Sequence, residues 1–198
     1  IMARIMLQVL LDKETVKSHR TWSDETDRVL CCQKTLWTLR RIEKQNEEMN
    51  SNDSEFIRYE EALFQYELAE MYEIAFALQK NIDPETEKSV QQKILENPNA
   101  YLPECPEEDA HQYEYIRVQE DDLQKAVDLY IQAANAGLKK AMRALGRCYE
   151  RGIGVDKDAD QAVEWYKKAA PEGDFGAMAS LLDHYLQNTE ACSDTMDA

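Results

Sequence analysis

Between Asp122 and Tyr185 the sequence repeats itself at a fixed offset of 36 residues. Ala126, Val127, Tyr130, Ala133, Ala134, Gly137, Ala141, Met142, Leu145 and Tyr149 recur as Ala162, Val163, Tyr166, Ala169, Ala170, Gly173, Ala177, Met178, Leu181 and Tyr185. Small and aromatic residues keep the same order in both copies. A period of this length marks stacked repeats, because each unit has an apolar face that only its neighbour can cover. The expectation is an all-α protein built as an antiparallel helix-pair solenoid.

The repeated residues have physical reasons to be what they are. Gly137 and Gly173 fall just past expected helix ends, where left-handed backbone is cheap for glycine. The alanines let neighbouring helices approach, and Tyr130, Leu145, Tyr149, Trp165 and Tyr166 fill the gaps. Gly152 and Gly154 allow a tight reversal, after which Asp158 caps the next helix. Helices are expected to about Ala136, from about Lys139 to Arg151, from Asp158 to Ala170, and on to about Gln187.

Upstream, the chain divides less regularly. Residues 1–53 form an N-terminal helical region, with one helix over 1–19 and a second from Thr21, for which Ser23 is a cap and Val29, Leu30, Leu36, Trp37, Leu39 and Ile42 supply an apolar stripe. Residues 54–121 hold a degenerate repeat interrupted by an insertion at 81–112. Its first helix spans about Ser54 to Lys80, with Phe64, Leu68 and Tyr72 at the spacing of Ala141, Leu145 and Tyr149. Asp83-Pro84 caps a short helix to about Glu96. The proline-rich stretch that follows is a surface loop, and helix resumes near His111, carrying Tyr115, Ile116 and Val118. The repeats occupy 122–187, and 188–198 form a flexible tail.

Charge is concentrated in the middle. The chain carries a net charge of −16, of which residues 51–122 contribute −14. Such a surface repels nucleic-acid phosphates and anionic membranes and steers toward basic protein surfaces. No run reaches the roughly 18 to 20 apolar residues of a membrane helix; the opening IMARIMLQVLL is expected to be a buried helix. The five cysteines include no CxxC pair, which points to reduced, partly buried thiols and favours the cytoplasm over the periplasm.

Residues Ala141, Leu145, Gly146, Tyr149, Gly152, Gly154, Val155, Asp158, Ala162, Trp165, Tyr166, Lys168, Ala169, Ala170 and Gly173 follow the pattern AxxxLGxxYxxGxGVxxDxxxAxxWYxKAAxxG. This resembles the Sel-one-like repeat, a relative of the tetratricopeptide repeat. One unit is complete, with half units before and after it and a divergent one at 60–80. The resemblance implies a right-handed superhelix of helix pairs, here with an N-terminal helical cap. It also implies protein binding: family members serve as adaptors in bacterial signalling, host interaction and toxin neutralisation, and in eukaryotic protein quality control. The paired disulfide cysteines of some members are not implied, since only Cys148 falls in the complete unit.

Enzymatic constellations are sparse. Glu107, Glu108, Asp109 and His111 could form a carboxylate-imidazole metal site, and Cys31–Cys32 could bind a soft ion. A solvated acidic loop and core packing are the favoured readings of these two groups, and no cofactor is expected. The Gly152–Val155 turn has no following Lys-Ser/Thr and is not a phosphate loop. Surfaces are the stronger candidates. On the helices expected to line the concave face, the outward positions are Tyr66, Glu70 and Glu73, then Arg143, Arg147 and Arg151, then Asp183 and Gln187. In the insertion, Tyr101, Leu102, Glu104, Glu107, Glu108, Asp109 and Tyr113 combine aromatic anchors with carboxylates. The expected function is non-catalytic binding of a protein with a basic surface, as a bacterial immunity protein or adaptor. The alternatives are a signalling or host-interaction scaffold and, in another class, a metal-dependent hydrolase.

Overall fold

The computed structural model describes residues 25–48, 55–96 and 115–194, and among these every regular element is a helix. They fall into two compact units, one of residues up to 53 and 70–119, the other of 54–69 and 120–198. In chain order the helices are α1 (Glu25–Glu48), α2 (Glu55–Asn81), α3 (Pro84–Glu96), α4 (Glu120–Asn135), α5 (Lys139–Arg151), α6 (Ala159–Ala169) and α7 (Phe175–Asp194), with a 3-10 turn at Ala170–Glu172. The boundary between the units crosses α2 at residue 70. The expected helix over 1–19 lies outside the described residues.

In the first unit, Val29 and Leu30 of α1 pack with Val90 and Ile94 of α3, and Trp37, Ile82 and Tyr115 close over them. The apolar stripe expected on α1 is the one that is buried: Leu36 and Leu39 are fully enclosed. Asp83 caps α3 as expected. Its Oδ1 accepts from the amides of Glu85 and Thr86 at 2.9 Å, and its Oδ2 accepts from the Thr86 hydroxyl at 2.6 Å. These bonds, that from the hydroxyl foremost, hold its carboxyl below the usual carboxylate value.

One expectation fails here. Residues 115–119 have no regular secondary structure, and helix begins only at Glu120. Two glutamine side chains hold this backbone. Gln33 Nε2 donates to the Ile116 carbonyl at 2.9 Å, and its Oε1 accepts the Ile116 amide at 2.7 Å. Gln79 grips Val118 in the same way, at 3.2 and 3.0 Å. Each side-chain amide thus satisfies both backbone groups of one residue outside any helix. Between them, Arg117 pairs with Glu87.

The second unit follows the 36-residue echo closely. Gly137 and Gly173 sit past helix ends with φ of +91° and +81°. Gly137 N–H donates to Ala134 O at 2.9 Å and Leu138 N–H to Ala133 O at 3.0 Å, closing α4. Asp158 caps α6, its side chain accepting the Gln161 amide at 2.9 Å. Gly154 has φ +68°, and a β-carbon there would run into the Leu123 carbonyl at the start of α4. Stacking is tightest between α5 and α6. A β-carbon on Gly146 would enter the Tyr166 ring, so the glycine is the socket for that ring. Ala162, Tyr166, Ala169 and Ala177 form a core flanked by Met142, Tyr149 and Leu181. The final helix continues to Asp194, past the Gln187 at which a flexible tail was expected.

Candidate protein-binding surface

The buried side of α5 is made of Ala141, Ala144, Leu145, Gly146 and Cys148. Arg143, Arg147 and Arg151 recur every four residues and share another side of the helix. Arg151 is exposed and the other two are half-buried. Arg143 Nε lies 3.2 Å from Asp174 Oδ1, which also accepts the Ala177 amide at 3.0 Å and so caps α7. Contact is close, but the Arg143 Nε–H has no aligned acceptor, so attraction here is mainly between charges. Arg147 stands near the Tyr166 hydroxyl, which donates to Glu150 Oε2 at 3.1 Å. Burial pushes the Tyr166 phenol up to about 12, against the pull of Arg147. Asp183 is exposed on α7.

Two of the expected outward residues are buried. Tyr66 is 7% exposed and packs its ring 5.6 Å from that of Tyr130; Glu70 is 9% exposed. Every residue from 66 to 72 is buried, and seven consecutive positions go all the way round a helix. An outward register needs one open side on α2, and in this stretch it has none. Glu73, the third of the set, is half-buried.

A feature the sequence did not indicate lies nearer the start of α2. Gln65 Nε2 donates to Gln132 Oε1 at 2.9 Å, beside an open pocket of about 480 Å³ whose other walls include Tyr59, Glu61 and Asn135. Its polar walls come from helices 67 residues apart in sequence, a pairing that leaves no local pattern.

The insertion candidates Tyr101, Glu104, Glu107, Glu108, Asp109 and Tyr113 lie outside the described residues, as does His111. Among the described residues, no three or more His, Cys, Asp or Glu side chains are grouped to hold a metal. Cys31, Cys32 and Cys148 are thiols rather than disulfides. Burial, reinforced by neighbouring Cys31, pushes the Cys32 thiol up to about 12. No described helix is long and apolar enough to cross a membrane.

Comparison with known proteins bears on the same segment. Residues 112–138 and 139–174 match the Sel1 repeat, the second match spanning α5, α6 and the turn after them. The chain is 44% identical over 62 residues to the chitin synthase regulator SKT5 of Saccharomyces cerevisiae, a stretch that is 31% of this chain and 9% of that protein. It is 40% identical over 70 residues to the DAP3-binding cell death enhancer 1 of Rattus norvegicus, covering 35% of this chain and 13% of that protein. The chain thus spans about a tenth of the length of these curated relatives. No solved structure matches it. Sel1 repeats mediate protein–protein interaction, and residues 112–174, where the echo, the buried alanines and the Gly146–Tyr166 socket coincide, are two Sel1 repeats.

Proposed function

We propose that this chain is an adaptor module that binds another protein through its Sel1 repeats and has no catalytic role of its own. The observation that carries the reading is the division of labour within the repeats. Most of their recurring residues are consumed in packing, from Ala126 and Tyr130 through Leu145 to Ala169, and α5 leaves the row Arg143, Arg147 and Arg151 on another side. Residues fixed by packing cannot select a partner, so selection falls to the positions the repeat does not dictate.

On this reading the partner-contacting set is Arg147 and Arg151, with Arg143 steadied by Asp174, together with Asp183 and the acidic insertion residues Glu104, Glu107, Glu108 and Asp109 between Tyr101 and Tyr113. Tyr66 and Glu70, being buried, drop out. The charge of −14 over residues 51–122 favours a partner with a basic surface. The printed names of the two relatives, a regulator of an enzyme and a binding protein, favour an adaptor. The narrower role of a toxin-neutralising immunity protein has only the acidity in its favour.

The test is a crosslinking pull-down with the full chain, repeated with Glu107→Lys/Glu108→Lys/Asp109→Lys and with Arg147→Glu/Arg151→Glu. Each set is expected to weaken capture of the same partner, and the acidic set to lower the salt dependence of association as well. Capture unchanged in both sets, or stoichiometric metal with hydrolytic turnover in the purified chain, would overturn the proposal.

A further inference from the structure

We infer that the outer face of α7 is a docking surface for a basic amphipathic helix of a partner protein, one that presents a small residue to Leu182. This rests on the reading of the chain as a protein-binding module and adds a second surface and the chemistry of its occupant.

The 36-residue offset carries Met142, Gly146 and Tyr149 of α5 onto Met178, Leu182 and Tyr185 of α7. On α5 these positions face α6: Met142 and Tyr149 pack against its core, and Gly146 receives the Tyr166 ring. On α7 the same positions are open, with Met178 42%, Leu182 59% and Tyr185 50% exposed. The other side of α7 is already used, since Ala177 and Leu181 pack on α6. The repeat therefore states what this kind of face takes: a helix laid along it.

On this outer stripe α7 departs from α5 toward larger apolar side chains. Gly146 becomes Leu182, and Lys139 becomes Phe175, which is 83% exposed. Positions 175, 178, 182 and 185 fall on one stripe of a helix. An outer face that only meets water needs polar residues to stay soluble, and this one has gained apolar ones. Such a stripe marks an interaction site.

Leu182 also fixes the occupant's shape. Tyr166 fits against α5 only because Gly146 leaves room for its ring, and Leu182 fills the equivalent room on α7. A helix with an aromatic residue at that point would be overpacked, while one with alanine, serine or glycine would seat. Charge chooses between a foreign helix and a second copy. The sequence of α7 contains no lysine or arginine, exposed Asp183 borders the stripe, and the whole chain carries −16. Two copies face to face would repel, whereas a basic helix is attracted.

The probe is a labelled synthetic peptide of residues 158–170 carrying Tyr166→Ala, Asp160→Lys and Glu164→Lys, titrated by fluorescence anisotropy with the full chain. It is expected to bind, and the same peptide with Tyr166 retained to bind about tenfold more weakly, the scale of an overpacked apolar contact. The chain variant Leu182→Gly is expected to reverse that order, and Leu182→Arg to abolish both interactions. Because Leu182 is exposed, both variants should keep the circular dichroism of the parent. No binding by the parent chain, no reversal with Leu182→Gly, or a concentration-dependent dimer that Leu182→Arg dissolves would overturn the inference; the last would place a second copy on the face. If the peptides behave as stated while the chain captures no partner protein, the adaptor reading falls and this surface stands.

Discussion

Gln33 holds Ile116 by both of its backbone groups, with the carboxamide donating at 2.9 Å and accepting at 2.7 Å across 83 residues of sequence. Gln33 is itself buried, so no water is at hand to replace either bond. Removing the side chain leaves a donor and an acceptor without partners, a cost of about 1–3 kcal/mol. Gln33→Ala is expected to lower the urea midpoint accordingly and to abolish the hydrogen-exchange protection of the Ile116 amide. Gln33→Glu keeps the acceptor, loses the donor and sets a carboxylate against the Ile116 carbonyl, so it should restore the amide's protection without restoring stability. Equal protection in parent and Gln33→Ala would show that the clamp does not hold the segment.

Glycine is required at positions 146 and 154 for different reasons, and substitution separates them. At Gly146 an added methyl meets the far edge of a side chain, Tyr166, with its Cζ 2.8 Å away. Overpacking of this kind costs about 1–3 kcal/mol, offset by the roughly 0.5–1 kcal/mol that alanine gains over glycine within a helix. Gly146→Ala should therefore destabilise modestly. Combined with Tyr166→Leu, it should cost less than the sum of the two single changes, by about 1 kcal/mol in a double-mutant cycle. At Gly154 the obstacle is the Leu123 backbone, and φ is +68°, so no side-chain change can relieve Gly154→Ala. Additivity in the first pair would mean that the socket does not couple the two helices.

These contrasts show what the sequence could and could not reveal. Helix limits between Ala136 and Ala170, the Asp83 and Asp158 caps and the glycine turns were legible because each is written within a few residues of where it acts. Segment 115–119 was not. Tyr115, Ile116 and Val118 fit a helix or an extended chain equally well, and the deciding glutamines lie 83 and 39 residues away. Tyr66 and Glu70 were misplaced because periodicity assumes one open side, which α2 lacks there. The open stripe on α7 was in principle visible as the changes Lys139 to Phe175 and Gly146 to Leu182 within the echo. Attention to identities alone passes over them.

Three weak acids, two buried and one half-buried, make the fold sensitive to alkali. The Cys32 thiol is pushed from 9.0 up to about 12, and the Tyr115 and Tyr166 phenols from 10.0 up to about 12. Burial is the main cause in each case, helped at Tyr115 by nearby Glu87. Unfolded, these groups lose their protons near their ordinary values; folded, they keep them. Across that window the unfolded chain binds fewer protons, so stability falls as pH rises. The urea midpoint is expected to decline from pH about 9 upward and the decline to fade near about 12. Cys32→Ala should remove the earliest part of the slope, between about 9 and about 10. An unchanged slope in that variant would assign the loss to other groups.

Asp174 joins two roles on one oxygen, since Oδ1 accepts the Ala177 amide at 3.0 Å and lies 3.2 Å from Arg143 Nε. The roles differ in weight. Losing a helix cap costs about 0.5–2 kcal/mol, whereas an ion pair whose cation is partly in solvent contributes about 0–1 kcal/mol. The Arg143 side chain is 43% exposed and its Nε–H is not aligned on the carboxylate, which places this pair at the lower end. Asp174→Asn keeps an oxygen for the Ala177 amide and removes the charge, so it should shift the thermal midpoint little. Asp174→Ala removes both and should destabilise by the full cost of the cap. Gly176 adds a check, because a β-carbon there would come within 2.7 Å of an Arg143 guanidinium nitrogen and 3.2 Å of Asp174 Oδ1. Gly176→Ala should swing the mobile end of Arg143 aside while leaving the cap in place, and so match Asp174→Asn rather than Asp174→Ala. If Asp174→Asn proved as damaging as Asp174→Ala, the charge pair would be what fixes the start of α7.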